Sequence, residues 1–188
     1  MIYLTGANGL IGTRFQQFCK NNFEVKTLTY RDLRTDEIFI DSHTDKEPVC
    51  LVHLGWSSTT RTSVTAQAEL DVLNSKLLFA KFHEKNPHGK IIFLSTAGDM
   101  HQNQTGVMET TKGIPRTLYG RAKLAVEVEL ERSSPCKTVV LRVSNVWGGE
   151  IDENRVNGLV DKLISSIDTN RTTEILSLIH ISEPTRPY

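Results

Sequence analysis

The sequence carries no net charge: 22 Lys and Arg are balanced by 22 Asp and Glu across 188 residues. Without a net field to gather polyanions, nucleic acid and anionic membrane surfaces are not expected partners, and any phosphate recognition has to be local. Long apolar runs are missing as well. The longest, such as Lys90-Ile91-Ile92-Phe93-Leu94, have the length of a strand and fall far short of a bilayer span. The first strand is expected to begin at the first residue, which leaves no room for a cleavable signal and points to a cytoplasmic protein. Cysteine is scarce. Cys19, Cys50 and Cys136 show neither metal-ligand spacing nor even pairing, and their apolar neighbours mark them as reduced core thiols. His43, His83 and His88 are scattered without ligand spacing, so no metal site is expected. There is no internal repeat and no low-complexity tract.

What is present alternates between strand and helix patterns. A chain of this length suits one domain able to bury a real core. Ile2-Tyr3-Leu4 reads as a strand, and Leu10, Ile11, Phe15, Phe18 and Cys19 form an apolar stripe on a first helix that ends at Asn21-Asn22. A second strand runs from Glu24 to Thr29, and Val49 to Leu54 is a near-continuous apolar run, as in a parallel strand buried on both faces. Ala66 to Glu84 reads as a helix with Leu70, Leu73, Leu77, Leu78 and Phe82 on its buried side, closed by Asn86-Pro87. Lys90 to Ser95 is the next strand. Leu118 to Arg132 is a helix entered through Pro115 with Thr117 as its cap, and Lys137 to Val143 is a further strand. Between Tyr30 and Pro48 only Ile38-Phe39-Ile40 suggests a small strand, so one crossover helix is reduced or absent there. The alternation predicts a doubly wound parallel α/β fold.

Gly6, Gly9 and Gly12 fall where the first strand gives way to the first helix. A helix N-terminus offers N–H groups and the positive end of its macrodipole, so backbone there can hold a dinucleotide pyrophosphate if nothing bulky intervenes. Gly6 would permit the tight turn, Gly9 the close passage of phosphate, and Gly12 the packing of helix on strand. The spacing is wider in its first gap than the common Gly-x-Gly-x-x-Gly, and a bare glycine triplet is a weak signal; its place after a strand strengthens it.

Tyr119 and Lys123 lie four apart near the start of a helix, hence on one face. A fixed ammonium close to a phenol favours the phenolate, which would make Tyr119 a usable acid/base. Alone, such a pair is more often a solvated helix face; downstream of a dinucleotide turn the catalytic reading gains. His53, inside an apolar strand, reads as a satisfied core imidazole, and Trp147 as a packing residue.

Thr5 to Gly12, His53-Leu54-Gly55, Leu94-Ser95-Thr96, Tyr119-Gly120-Arg121-Ala122-Lys123-Leu124 and Leu141 to Gly148 occur in the order found in extended short-chain dehydrogenases/reductases. Over about residues 1 to 175 the chain resembles their NAD-dependent epimerase/dehydratase group, relatives of UDP-galactose 4-epimerase. The resemblance implies that Tyr119 takes a proton from a sugar hydroxyl while nicotinamide accepts the hydride, giving a transient keto sugar, and that Lys123 holds the ribose and tunes Tyr119. It implies a hydroxyl on the same sugar oxygen from Thr96, with Ser95 as the alternative. Leu10 and Ile11 with the three glycines, and Leu54, Gly55 and Trp56, would line the dinucleotide site, and Asn145 would contact a nucleotide-sugar. The oligomeric state stays open in the sequence, although relatives often dimerise through helices corresponding to those near Asn74 and Tyr119, which makes a homodimer one of the alternatives.

Two departures leave alternatives open. Relatives follow the strand bearing Ser95 with a small residue, Val, Tyr and Gly, whereas here the run is Ala97-Gly98-Asp99-Met100-His101-Gln102. NAD specificity leans on an acidic residue at the end of the second strand. Thr29 stands there, followed by Tyr30, Arg31 and Asp32. Arg31 would pair with a 2′-phosphate and favour NADP; Asp32 would hold a ribose hydroxyl and favour NAD. Leu176 to Tyr188 resembles the translated read-through of a sequencing-library adapter, so residues 1–175 are expected to be a truncated dinucleotide-binding domain with the start of a substrate region, and 176–188 a non-native tail. The alternative function is a non-catalytic sensor or scaffold that binds NAD(P) on the same fold.

Overall fold

Five strands of alternating or continuous apolar character pair entirely in parallel, in the order β2-β1-β3-β4-β5. They are β1 (Ile2–Thr5), β2 (Val25–Leu28), β3 (Cys50–His53), β4 (Lys90–Thr96) and β5 (Lys137–Val143), interleaved with helices α1 (Leu10–Cys19), α2 (Thr65–Lys85) and α3 (Leu118–Ser133). A computed structural model of the chain describes residues 1–35, 38–39, 49–58, 64–101, 104–133, 137–144 and 146. Residues 1–144 form one unit and 145–188 a second. Cys136, His43, Asn145, Trp147 and the 176–188 tail lie outside the described residues.

Burial follows position in the sheet. Tyr3, Leu4 and Thr5 of β1 and Leu51, Val52 and His53 of β3 are buried in succession, because both strands are flanked by neighbours and covered on both faces. At the β5 edge Val139 and Leu141 are exposed. Ile2 pairs with Val25 on one side and with Cys50 on the other, so the chain reverses its direction of travel across the sheet at β1. In a doubly wound sheet that reversal opens a crevice at the strands' carboxyl ends, here beside Thr5, His53 and Thr96. The fold is of the Rossmann type.

The core lies where α2 and α3, packed on one another, meet the sheet. Tyr3, Phe39 and Phe82 meet edge to face, with centroids 4.8 Å apart for Tyr3–Phe39 and 5.2 Å for Phe39–Phe82. Ile38 and Phe39 are therefore core residues, but in an irregular turn rather than the small strand expected of them. Among its described residues, the connection from β2 contains one 3-10 turn, Asp32–Arg34.

Of the apolar stripe expected on α2, Leu78 and Phe82 are buried and the three other leucines are not. Leu70, Leu73 and Leu77 point outward, 46%, 61% and 41% exposed, while Ala68, Asp71, Ser75, Leu78, Phe79 and Phe82 are buried. Asp71 and Ser75 have hydrogen-bond partners on the sheet side, described below, which offset the cost of burying their polar groups. Phe18 is likewise exposed rather than part of the α1 stripe; Gly12 and Cys19 are the buried positions, and the helix ends at Cys19, short of Asn21. Cys19 is buried and Cys50 half-buried, both as free thiols. Burial pushes both upward, so neither is a reactive thiolate at neutral pH. No described helix is long and apolar enough to cross a membrane, and no described cluster of side chains has a metal-ligand arrangement.

Candidate functional site

The turn after β1 is built by exclusion. Gly6 has φ +71, and a Cβ there would meet the Gly55 nitrogen at 2.6 Å and the Leu54 carbonyl carbon at 2.8 Å. A Cβ on Gly12 would overlap the Gly6 carbonyl oxygen. Both positions are glycine because the backbone of β1, its turn and the segment after β3 are in contact. Gly9 differs. It is exposed, takes an ordinary extended conformation (φ −80, ψ 169), and a Cβ there would approach only the Gly6 oxygen, at 3.3 Å. A side chain at Gly9 thus meets one backbone oxygen and otherwise opens onto free space in front of the turn.

Gly9 is the N-cap of α1 and offers no side-chain cap, and no acidic residue occupies the first turn. The first hydrogen bond of the helix runs from the Thr13 N–H to the Gly9 oxygen at 2.9 Å. The N–H groups of Leu10, Ile11 and Gly12 accordingly lack intrahelical acceptors, at the positive end of the macrodipole. Open backbone, uncapped donors and no competing carboxylate fit a pyrophosphate.

Gly55 is fixed from two further sides. Its N–H donates to Thr5 Oγ1 at 3.0 Å, and its carbonyl accepts the Tyr30 hydroxyl at 2.9 Å. With the Gly55 N–H donated to it, the Thr5 hydroxyl gives its own proton to His53 Nδ1, 2.7 Å away. His53 Nε2 then donates to Ser75 Oγ at 3.0 Å, and the Ser75 hydroxyl donates to the Asp71 carbonyl at 2.7 Å. The relay assigns His53 its Nε2–H tautomer. Fully buried, His53 is pushed down to about 3 by desolvation and then by Lys123, so it is a neutral structural imidazole. The Asp71 carboxylate accepts the N–H groups of Ser57 at 3.1 Å and Ser58 at 2.9 Å, which shapes the loop that presents Trp56. Sequence reasoning missed Asp71; the signal was a carboxylate in register with Ala68, Ser75, Phe79 and Phe82 at helical spacing.

Trp56 carries the wall from Gly55 to α3. Its ring meets Tyr119 edge to face, centroids 6.3 Å apart, and Lys123 Nζ lies over it at 3.9 Å. Lys123 is 3% exposed and donates to the Leu94 carbonyl of β4 at 2.7 Å. A desolvated cation over an aromatic face gains about 2 kcal/mol, whereas stripping an ammonium of water costs several. Desolvation wins, and Lys123 is lowered to about 7 despite Asp71 and Glu127. Glu127 in turn takes Arg142 from β5, with Nη2 to Oε2 at 2.6 Å.

The phenol departs from expectation. Lys123 was to lower Tyr119; instead burial, then Asp99 and Asp71, raise it. The ammonium is 5.8 Å from the Tyr119 ring centroid and engaged with Leu94 and Trp56, so two carboxylates and desolvation dominate. Thr96 ends β4 half-buried, while Ser95 is buried and its hydroxyl has no partner among the described residues. Asp32 is also engaged locally: its Oδ2 accepts the Thr29 N–H at 2.6 Å and the Thr29 hydroxyl at 2.8 Å, which holds its pKa down. Arg31 beside it is exposed.

The sequence model of the NAD dependent epimerase/dehydratase family matches residues 2–188. The chain belongs to this family. No curated protein matches the chain. Among solved structures, the Thermotoga maritima UDP-glucose 4-epimerase with UDP-glucose superposes with a TM-score of 0.77 at 23% identity, covering 94% of this chain and 65% of that one. The Bacillus cereus UDP-glucuronic acid 4-epimerase in complex with NAD gives 0.70 at 20% identity, covering 90% and 63%. RMD from Pseudomonas aeruginosa complexed with NADPH gives 0.64 at 18%, covering 82% and 57%. The chain thus spans a little under two thirds of these family-like folds.

Proposed function

We propose that the complete protein is an NAD(P)-dependent nucleotide-sugar epimerase or dehydratase, and that this chain contains its dinucleotide-binding part. The observation that carries the reading is the continuous wall from the open Gly9 turn through Gly55 and Trp56 to Tyr119 and Lys123. The amides of Leu10, Ile11 and Gly12 hold the pyrophosphate, and Leu54, Gly55 and Trp56 line the dinucleotide. When bound, the nicotinamide supplies transient acceptance of a hydride. Tyr119 removes the proton from the sugar hydroxyl and returns it, and Thr96 holds the same oxygen, with Ser95, buried and its hydroxyl without a partner among the described residues, as the alternative. Lys123, lowered to about 7, would hold the ribose of a bound dinucleotide and steady the phenolate as it forms. Asn145 contacts the nucleotide-sugar.

Asp32 bound to its own turn and Arg31 exposed support NADP over NAD. The outward leucines of α2 support a homodimer. A cytoplasmic location completes the reading, and the chain alone is expected to bind cofactor without turnover, since substrate contacts supply orientation.

Incubating the complete protein with UDP-, GDP- and dTDP-sugars tests it. Tyr119→Phe should abolish turnover and spare cofactor binding; undiminished turnover removes Tyr119 from the chemistry. The raised Tyr119 favours one second reading, a non-catalytic NAD(P)-binding sensor or scaffold, which the same assay reveals as tight binding without conversion of any sugar.

A further inference from the structure

The connection from β4 to α3 carries a buried carboxylate, Asp99. Asp99 is 4% exposed, and its Oδ2 accepts the Thr117 hydroxyl. Thr117 Oγ1 in turn accepts the Gly120 N–H at 3.0 Å, the N-cap bond of α3. Asp99 packs so closely on that turn that a Cβ on Gly120 would overlap its Oδ2 and lie 2.8 Å from its Cγ. Tyr119 sits between these two anchor points. The carboxylate is itself held from behind: the His101 N–H reaches the Ala97 oxygen at 3.1 Å, the Ile114 N–H reaches the Met100 oxygen at 2.8 Å, and Met100 is fully buried against Gly113. A buried acid tied by such a scaffold to the first turn of the helix that carries the phenol is placed to act on it.

We propose that Asp99 is a positioning residue for Tyr119, pinning the first turn of α3 through Thr117 and setting the charge that the phenol faces. The proposal rests on the reading of Tyr119 as the acid/base. The charged groups around Tyr119 are Asp99 from the connection, Asp71 from α2 and Lys123 on its own helix, with Glu127 acting on Lys123 one turn further along. The end of β4 brings only Ser95 and Thr96, and Arg116 and Arg121 are exposed. Burial, then Asp99 and Asp71, raise the proton affinity of the phenol. Asp99 therefore both adds to that affinity and anchors the turn that carries Tyr119.

The test uses the 188-residue chain labelled with 3-fluorotyrosine, whose more acidic phenol titrates at a pH the fold tolerates. Its fluorine resonance is followed with pH and assigned by its absence in Tyr119→Phe. Asp99→Asn keeps an acceptor for Thr117 and removes the charge, so the Tyr119 midpoint should move to lower pH. Asp99→Ser serves the same purpose should the first variant misfold, with circular dichroism confirming native structure. Thr117→Val keeps the charge and removes the pin, and should shift or broaden the Tyr119 resonance at neutral pH, whereas Thr117→Ser should not. An unmoved or raised midpoint in a folded Asp99 variant overturns the proposal. So does misfolding of both Asp99 variants, or a Thr117→Val resonance identical to the parent's. None of these readouts needs turnover, so their failure leaves the proposed reaction to be judged by its own assay.

Discussion

Lys123 is stacked on Trp56, its ammonium 3.9 Å from the centroid of the indole ring and 2.7 Å from the Leu94 carbonyl. The contact joins the helix that bears Tyr119 to the loop that follows the glycine-floored crevice. It also places a charge where water is nearly excluded.

That charge makes stability depend on pH. Lys123 is lowered to about 7 in the fold, while an unfolded lysine holds its proton to about 10.4. Between these values the unfolded chain binds more protons, so the free energy of unfolding rises with pH across that window. The urea midpoint of the parent should gain on Lys123→Met between pH 7 and 9.5. A constant difference between the two proteins contradicts a buried, weakly basic Lys123.

His53 sets the acid limb. Its folded pKa is depressed to about 3, and the unfolded value is about 6.5. The unfolded state is again the one that binds the extra proton, so stability is present above about 6.5 and is lost as pH falls toward 3. His53→Gln, which offers an amide to Thr5 and Ser75, should show a shallower loss of urea midpoint between pH 6.5 and 4. An equally steep loss would falsify the assignment of the acid limb to His53.

Arg31 is expected to choose the cofactor. A charge-assisted contact to a 2′-phosphate contributes about 1.5 kcal/mol or more, roughly tenfold in Kd. Fluorescence titration should find NADPH bound at least about tenfold more tightly than NADH, and Arg31→Ala should erase the difference. Preference for NADH by the parent contradicts the reading.

The leucine face of α2 predicts self-association. Leu73 is 61% exposed, between Leu70 and Leu77, and fully covering such a side chain gains about 1.5–3 kcal/mol. Sedimentation should find a dimer that Leu73→Glu dissociates while the monomer stays folded. A parent that is monomeric at the highest concentration tested removes the idea.

The legible part of this chain was what backbone periodicity dictates. Strand β5 falls where the apolar run Lys137 to Val143 puts it, and α3 extends only one residue beyond Arg132. The Thr117 cap was readable because Ser and Thr cap helices by local chemistry. The facing of α2 was readable only in part: Leu78 and Phe82 are buried as expected, but Asp71 and Ser75 take the place of Leu70, Leu73 and Leu77 because their partners, Ser57, Ser58 and His53, are distant in sequence. Ile38 and Phe39 looked like a strand because burial leaves the same apolar signature in an irregular turn. Tyr119 was misjudged for the same reason as α2: spacing along one helix revealed Lys123, while Asp99 and Asp71 arrive from elsewhere in the fold.

The glycines of the first turn offer the most direct test of the central claim, that this turn is kept open for a dinucleotide. Gly12→Ala should lower stability by about 1–3 kcal/mol, since its methyl group meets backbone. Gly9→Ala meets only the Gly6 oxygen, at 3.3 Å, and should fold with a thermal midpoint lowered less than that of Gly12→Ala. Calorimetric titration of Gly9→Ala with NADPH should nevertheless show affinity reduced by about tenfold or more from the parent's, because the methyl group occupies the approach of the pyrophosphate. Equal affinity in the two folded proteins, or no binding by the parent, would contradict the account.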